Sequence, residues 1–500
     1  MKKNGIFKGF LILSIGSVLA KLFSAIYRII LTRILGGEGI GIYQLIFPFY
    51  SLCVTLATAG IPMAVSKVVA KNKGNEIIVL KKVLKLAVIV SIIIAFILIL
   101  TSKFLEKLQQ VKSISLCYLI LSPSIIFVAI SSVLRGYFQG VHNFTPTAIS
   151  NIIEQFVKLF SGVVLSVSLL PFGLIYAVVG AVVAIVISEI ISLFCLLVVI
   201  KKDKVKTCAD NVSIKSILND VLPITISNLI LPFSVFIDSL LVVNLLSLNF
   251  TREVSVFLYG IETGAVSSLI GLPAIFSFAI ASVVLPNISK EKVEFNQSKK
   301  LTLAIKSVLI ISAPFALIFL LTPQNIINVL YSGKLNGFNI NGGMIASRLL
   351  AWSSVGVVSL AVNQVLSSSL QALDERSETI KNLFIGVVVK LGLILIFMPS
   401  KTLNIYMLAI GNLFCYLTVA VLNFVKIKQK SLIKINWDFI VRLIFSNVIM
   451  LITLICLLMI CDTNIMVILA YGISALVYLF CVYKTKTFSR NDMCFIKYGV

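Results

Sequence analysis

The amino-acid sequence predicts an all-α polytopic membrane protein with fourteen transmembrane helices, and three observations predict it. Of its 500 residues, 59% are hydrophobic and 12% charged, with a mean hydropathy of +1.08. Soluble domains carry about a quarter charged residues, so this chain has too little polar surface for a water-soluble body. Near-continuous apolar runs such as 83–102, 174–200 and 465–483 have the length a helix needs to cross about 30 Å of hydrocarbon. The ten-residue alternation of a membrane barrel is missing.

The spans are expected at 9–34, 41–66, 83–102, 114–134, 148–170, 174–200, 217–245, 256–285, 303–321, 344–370, 382–398, 403–425, 443–461 and 465–483. The first twenty residues resemble a secretory signal, with Lys2, Lys3 and Lys8 before an apolar run and Val18-x-Ala20 as a cleavage site. The apolar pattern continues past Lys21 to Ile34, however, and completes a span. An even number of spans puts both termini on one side. With that side inside, 31 of the 43 Lys and Arg lie in cytoplasmic segments, 7 in outer segments and 5 within spans. The positive-inside rule therefore orients both ends towards the cytoplasm.

That asymmetry also accounts for the net charge of +24. The bases are not gathered on a soluble module, so no nucleic acid is expected as a partner. The nine cysteines lie mostly in apolar spans without a C-x-x-C, and His142 is the single histidine. Neither a metal site nor a disulfide framework is expected. No phosphate-cradling loop, nucleotide fingerprint or nucleophile with a base partner occurs. The chain reads as a non-enzyme without cofactor, and an ion gradient or the membrane potential is its expected energy source.

A faint internal repeat organises the spans. "AGIPMAVSKVVAK" (59–71) in span 2 is similar to "IGLPAIFSFAIAS" (270–282) in span 8. "AISSVLRGYFQGVHNFTPTAIS" (129–150) lies on "AVNQVLSSSLQALDERSETIKN" (361–382), with Val133/Val365, Leu134/Leu366, Gln139/Gln371 and Thr147/Thr379 coinciding. Span 2 matching 8 and span 4 matching 10 implies two six-helix lobes in the same orientation. Parallel repeats of this kind surround a central cavity. The expected division is an N-lobe at 1–215, a C-lobe at 216–430, and spans 13 and 14 with a cytoplasmic tail at 431–500.

The charges inside spans are the candidate site. An ammonium or guanidinium at mid-bilayer costs roughly 2.5–3.5 kcal/mol on insertion scales. Lys21 and Arg28 are two helical turns apart on one face of span 1, where they repel unless they share water or an anion. Glu154 and Lys158 form an i,i+4 pair in span 5, read either as a closed ion pair or as part of the cavity wall. Glu189 in span 6 and Asp238 in span 7 are carboxylates of the kind that mark ion or proton relays. Asp238 follows Pro223 and Pro232, expected to bend the helix into a hinge. Glu262 in span 8 reads as an outer-interface residue. Arg348 near the outer end of span 10 and Lys390 in the middle of span 11 are further basic lining. "RGYFQGVHNFTP" (135–146) reads as a tight inner loop, with Gly136 and Gly140 permitting close backbone approach and Arg135 meeting headgroups.

Fourteen spans, the bases in span 1, "RILGGEGIGIYQL" (33–45), "AGIPMAVSK" (59–67) and "RGYFQGVHNFTPTAISNIIEQ" (135–155) resemble the stage V sporulation protein B group. That group belongs to the polysaccharide-export and MurJ-like branch of the MATE-type flippase superfamily. The resemblance covers essentially the whole chain. It implies alternating access in a bacterial cell membrane and substrates that are undecaprenyl-pyrophosphate-linked sugars or cell-wall precursors. It also implies that Lys21 and Arg28 match cavity bases by region and turn. Where lipid II flippases carry Arg and Glu in spans 2 and 8, this chain has Val54, Ala59, Ser268 and Gly271, which implies a less basic cavity.

The expected function is a flippase that moves a lipid-linked anionic sugar precursor from the inner to the outer leaflet. Lys21, Arg28, Lys158, Arg348 and Lys390 would bind it, and Glu154, Glu189 and Asp238 would pair with these bases or titrate. A coupling monovalent cation or the membrane potential would drive it, with membrane lipids and cell-wall synthases as partners. Two rivals are a cation-coupled small-molecule antiporter on the same fold and a non-transporting scaffold for wall-synthesis enzymes. The first wants an acidic cavity; the second tolerates neutral residues at 21 and 28.

Overall fold

The computed structural model describes residues 2–71, 76–200, 214–289, 294–429, 437–461 and 463–487. Among them the regular structure is helical, apart from one isolated bridge between Gly337 and Ile340. The carboxy-terminal tail from 488, most of the basic 201–215 segment and Met1 lie outside the described residues.

The helices are α1 (Lys2–Thr58), α2 (Ile61–Lys71), α3 (Glu76–Gln109), α4 (Ile114–Gly140), α5 (Thr145–Leu169), α6 (Leu174–Ile200), α7 (Ile214–Leu246), α8 (Arg252–Gly260) and α9 (Ser267–Ser289). They continue as α10 (Glu294–Leu321), α11 (Pro323–Tyr331), α12 (Gly342–Ala372), α13 (Arg376–Phe397), α14 (Tyr406–Gln429), α15 (Trp437–Leu458) and α16 (Asn464–Lys484). A π-helical stretch, Ile261–Val266, joins α8 to α9. Among the described residues, thirteen segments are long and apolar enough to cross a membrane, and the first of these runs Ile12–Ala70. Straight, 59 residues would extend about 88 Å, nearly three bilayer cores. The chain breaks its helix at Gly36 instead (φ 67, ψ −173), a conformation essentially restricted to glycine. Two expected spans thus sit inside this segment, and the fold has fourteen.

Helix α3 shows how the apolar sequence sorts itself. Val83, Ala87, Ser91, Ala95, Leu98, Ser102 and Leu105 recur at helical spacing and are buried. Ile89, Ile93, Phe96, Leu100 and Phe104 are exposed on the rest of the surface. In a bilayer that apolar face meets lipid tails, while small residues let helices approach.

The chain forms two compact units. The first contains Met1–Ser268, Lys334–Ile340 and Leu393–Met407; the second contains Leu269–Gly333, Asn341–Gly392 and Leu408–Val500. Helices α7 and α8 therefore belong with α1–α6, and the chain leaves the first unit within α9. In the first unit, Val65 and Val69 of α2, Val83 and Ala87 of α3, Val133, Leu134 and Phe138 of α4 and Leu196 of α6 make one core. In the second, Leu301, Ile305 and Val308 of α10 pack on Val365, Leu366 and Leu370 of α12. Met450 of α15 and Tyr478 of α16 join Ile310 in a further core, and the Tyr478 hydroxyl donates to the Ile310 carbonyl at 2.7 Å.

The segment at 135–146 is more helical than its glycines predict. Arg135 to Gly140 extend α4, and the turn is confined to 141–144, with His142 at φ 60. The two glycines do permit close approach. A Cβ on Gly136 would stand 2.8 Å from Pro62 backbone, and one on Gly140 would stand 2.7 Å from the Val69 side chain. They press α4 onto α2, which carries Arg135 into the protein instead of out to headgroups.

Candidate functional site

A buried polar cluster runs through the first unit along α1, α4, α5 and α6. Arg135 of α4 is its hub. Its Nη2 pairs with Glu154 Oε2 of α5 at 2.7 Å and donates to Ser192 Oγ of α6 at 2.9 Å. Its Nε donates to Ser150 Oγ at 3.3 Å. The guanidinium fork reaches three acceptors on two helices at once, which a lysine ammonium on a flexible stem does less well. Glu154 Oε1 accepts from Gln155 Nε2 at 2.8 Å.

A closed Glu154–Lys158 ion pair, one of the two readings of their spacing, is not formed. Glu154 is committed to Arg135, one helix away, and Lys158 instead stands over aromatic rings. Its Nζ lies 5.8 Å from the Tyr27 ring centroid and 5.5 Å from that of Phe47, both on α1. The negative ring faces hold a cation without neutralising it. Tyr27 is itself fixed: a Cβ on Gly162 of α5 would fall 2.5 Å from its ring, and Phe23 and Phe156 meet edge to face at 5.8 Å.

Glu189 of α6 is 8% exposed, and its Oε2 has no hydrogen-bond partner among the described residues. Glu154, Arg135 and Lys158 are all within electrostatic reach of it. Tyr50 of α1, hydrogen-bonded to Ser124 of α4 at 2.8 Å, also feels the Glu189 and Glu154 charges. Three predicted residues, Lys158, Glu154 and Glu189, are thus brought together around an arginine that the sequence reading left in a loop.

The others are distributed. Lys21 and Arg28 are half-buried on the first part of α1. Asp238 is buried in α7, which runs as one helix through both prolines. Glu262 is 1% exposed in the π-helical stretch, so the outer-interface reading fails; its Oε2 has no hydrogen-bond partner among the described residues. In the second unit, Arg348 is exposed on α12 and Lys390 is buried on α13. Among the described residues no three His, Cys, Asp or Glu gather as metal ligands would.

Two polar networks have no counterpart in the sequence reading. In the second unit Asn423 Nδ2 donates to Asn363 Oδ1 at 2.9 Å and Ser367 Oγ at 3.0 Å. Its Oδ1 accepts from Asn382 Nδ2 at 2.9 Å, so one buried amide ties α12, α13 and α14. In the first unit Arg252 joins the ends of α3, α7 and α8. Amides inside apolar spans were the available signal, since buried polar groups in a membrane need partners from neighbouring helices.

The second unit also holds an apolar groove of about 790 Å³ among α9, α10, α11, α15 and α16. Phe276, Pro314, Phe315, Tyr471, Gly472 and Leu479 are among its lining residues.

Among the described residues, long apolar helices with charged side chains clustered between them define a multi-pass membrane protein, and its relatives place it among bacterial membrane transporters. Residues 6–292 match the family described as polysaccharide biosynthesis protein, and the chain belongs to that family. It is 28% identical over 430 residues to the stage V sporulation protein B of Bacillus subtilis (strain 168), spanning 81% of this chain and 80% of that one. It is 24% identical over 419 residues to the lipid II flippase MurJ of the same organism, spanning 77% and 76%. Among solved structures, a lipid II flippase MurJ in an inward closed conformation superposes with a TM-score of 0.71 at 16% identity, covering 95% of this chain and 99% of that one. An inward-facing MATE multidrug transporter superposes at 0.64 and 16% identity, covering 82% and 94%. The fold is that of the MurJ- and MATE-like transporters.

Proposed function

We propose that this protein is a flippase carrying a polyprenyl-pyrophosphate-linked sugar or peptidoglycan precursor from the inner to the outer leaflet by alternating access. The observation that carries the reading is Lys158, an intramembrane ammonium seated on Tyr27 and Phe47 while the Glu154 carboxylate on its own helix is committed to Arg135. A cation held on aromatic faces and in no ion pair among the described residues suits a diphosphate. Lys21 and Arg28 on α1 would add to the anion site, with Arg348 and Lys390 as further basic lining. Glu189 and Asp238 would balance these charges when the site is empty, and Glu154 would do so only if its pair with Arg135 opened. The apolar groove of the second unit has the size and lining for part of a prenyl chain.

In this reading residues 1–215 and 216–430 act as two six-helix lobes about a central cavity, with spans 13 and 14 appended and both termini cytoplasmic. Moving two negative charges outward against an inside-negative potential is favourable by roughly 4.6 kcal/mol per 100 mV. The potential alone is then a sufficient driving force. The named relatives, a sporulation protein and a lipid II flippase, support cell-wall or spore-cortex precursors as the substrate class. The synthases that make or use them would be the partners.

The test is translocation of defined lipid-linked sugars in reconstituted vesicles, with and without an imposed potential. Lys158→Met, Lys21→Ala and Arg28→Ala are expected to abolish or strongly reduce it while the proteins stay folded, and Lys158→Arg to retain it. Unchanged translocation in these variants refutes the site. The buried Glu189 Oε2, without a hydrogen-bond partner among the described residues, favours a second reading, a cation-coupled small-molecule antiporter. That reading expects transport driven by an ion gradient and no movement of lipid-linked sugars in the same vesicles.

A further inference from the structure

One arginine ties together helix ends on the side that the charge asymmetry assigns to the cell exterior. Arg252, the first residue of α8, donates from Nε to the carbonyl of Gln109 at the end of α3 (3.0 Å), and Nη2 donates to the same oxygen. Its Nη1 donates to Asn244 Oδ1 (2.8 Å) and Ser247 Oγ (3.2 Å) at the end of α7. Gln109 is buried and extends the connection. Its Nε2 donates to the Leu45 carbonyl of α1 (3.0 Å), and its Oε1 accepts from the Tyr118 hydroxyl of α4 (3.1 Å).

Beside this network α1 and α8 touch backbone to backbone. A Cβ on Gly41 would collide with the Val256 carbonyl, and one on Gly260 would collide with the Gly37 carbonyl and the Gly41 nitrogen. A Cβ on Gly264 would stand 2.5 Å from Ile40. Gly37/Gly41 and Gly260/Gly264 are each four apart, the spacing that lets two membrane helices approach without side chains between them.

Helices α1, α3 and α4 come from the first sequence repeat, α7 and α8 from the second. We infer that Arg252 is the outer latch of the transport cycle: its guanidinium must let go of Gln109, Asn244 and Ser247 before the outer ends of the two repeats part, and the glycine seam closes again behind it. Its chemistry suits repeated opening. Every acceptor is a neutral carbonyl, amide or hydroxyl, so release strands no partner charge, while each bond still gains from the donor's charge. A guanidinium does not lose its proton in a protein, so the latch holds at any physiological pH. A cation in the first turn of a helix opposes the helix dipole; at this position it serves the bonds to other helices rather than α8 itself.

The inference rests on the alternating-access reading and its orientation, and its test needs no substrate. Val256, buried in the seam, is the reporter. In intact cells making the full chain, Val256→Cys is expected to react slowly with a membrane-impermeant maleimide, measured above the native-cysteine background. Adding Arg252→Ala is expected to raise the external rate at least about tenfold, the worth of one charged hydrogen bond. Labelling from the cytoplasmic side, in inside-out vesicles, is expected not to rise, which separates a latch from general loosening. Asn244→Asp gives Arg252 a carboxylate and is expected to slow external labelling. An unchanged external rate in Arg252→Ala, an equal rise from both sides, or faster labelling in Asn244→Asp overturns the inference. If Arg252→Ala does not reach the membrane, the Asn244→Asp rate decides alone. An unchanged external rate in Arg252→Ala while the wild type moves lipid-linked sugars counts against the latch alone; a raised external rate while the wild type moves none counts against the proposed substrate and leaves the latch standing.

Discussion

Arg135 offers the sharpest test of how the first unit holds its charges. Its guanidinium and the Glu154 carboxylate are paired at 2.7 Å with side-chain exposures of 17% and 15%. Arg135→Met leaves that carboxylate in a largely apolar surround beside Glu189, and it strips the donors from Ser150 and Ser192. Removing one member of a buried pair costs about 3–5 kcal/mol when the other charge is left uncompensated, an upper bound for Arg135→Met because Glu154 can turn to Lys158 one turn along α5. Glu154→Gln is expected to fall in the same range, since Arg135 keeps its two hydroxyls but loses its counter-charge. The double variant Arg135→Met/Glu154→Gln removes both charges at once and is expected to cost less than about 2 kcal/mol. The assay is equilibrium unfolding in mixed micelles by SDS titration, run on wild type, both single variants and the double. Strong non-additivity is the expected signature of groups in direct contact. Single variants within about 0.5 kcal/mol of wild type, or a double variant equal to the sum of the singles, would refute the assignment of Arg135 as hub.

Three further outcomes follow from the packing. Gly260→Leu must push a side chain into Gly37 and Gly41 backbone that has nowhere to go, and the same unfolding assay should show a loss of at least about 2 kcal/mol. Gly271→Ala, with nothing within 4 Å of its Cβ, should be near neutral and serves as the control. Asn423→Ala removes the centre of the three-helix amide network in the second unit and should cost about 2–4 kcal/mol by that assay, from three lost hydrogen bonds. Gly472→Leu has open space for its side chain and lines the apolar groove. It should leave stability unchanged and slow translocation of long-prenyl substrates more than short-chain analogues in vesicles.

The membrane fold was legible because its signal is local. Insertion requires about twenty apolar residues per crossing, and each expected span has its helix. The break at Gly36 falls in the gap between the first two expected spans, 9–34 and 41–66; what sequence could not locate was the π-helical stretch that carries Glu262 inward. The candidate site was legible as a set of costly residues, Lys158, Glu154 and Glu189, but not as a set of pairs. An i,i+4 spacing is compatible with an ion pair in an isolated helix, yet Arg135, nineteen positions away, offers a fork and two serines that a lysine on the same helix cannot match. Partner choice across helices is a tertiary property. The glycines at 136 and 140 carried a clue in plain sight: they extend α4 against α2 and so decide where Arg135 points.

The intramembrane charges of the first unit divide by what holds them. Arg135 and Glu154 cancel each other, add hydrogen bonds to two serines and a glutamine, and act as a strut between α4, α5 and α6. Lys158 sits one turn beyond Glu154 on the same helix and takes no share in that cancellation; aromatic faces stabilise a cation by about 0.5–2 kcal/mol, less than the insertion cost of roughly 2.5–3.5 kcal/mol. Glu189, within electrostatic reach, offsets part of that deficit, and an anion is needed to restore the rest. A diphosphate does so only while bound, which makes the ammonium a binding group rather than a strut. The strut makes this arrangement possible: with Arg135 absent, Glu154 would turn to Lys158, close the ion pair predicted from spacing alone, and silence the site. Arg135→Met should therefore lose anion binding even under conditions where it still folds, and Arg135→Met/Glu154→Gln should recover it. Recovery of stability without recovery of binding would show that Lys158 depends on more than its release from Glu154.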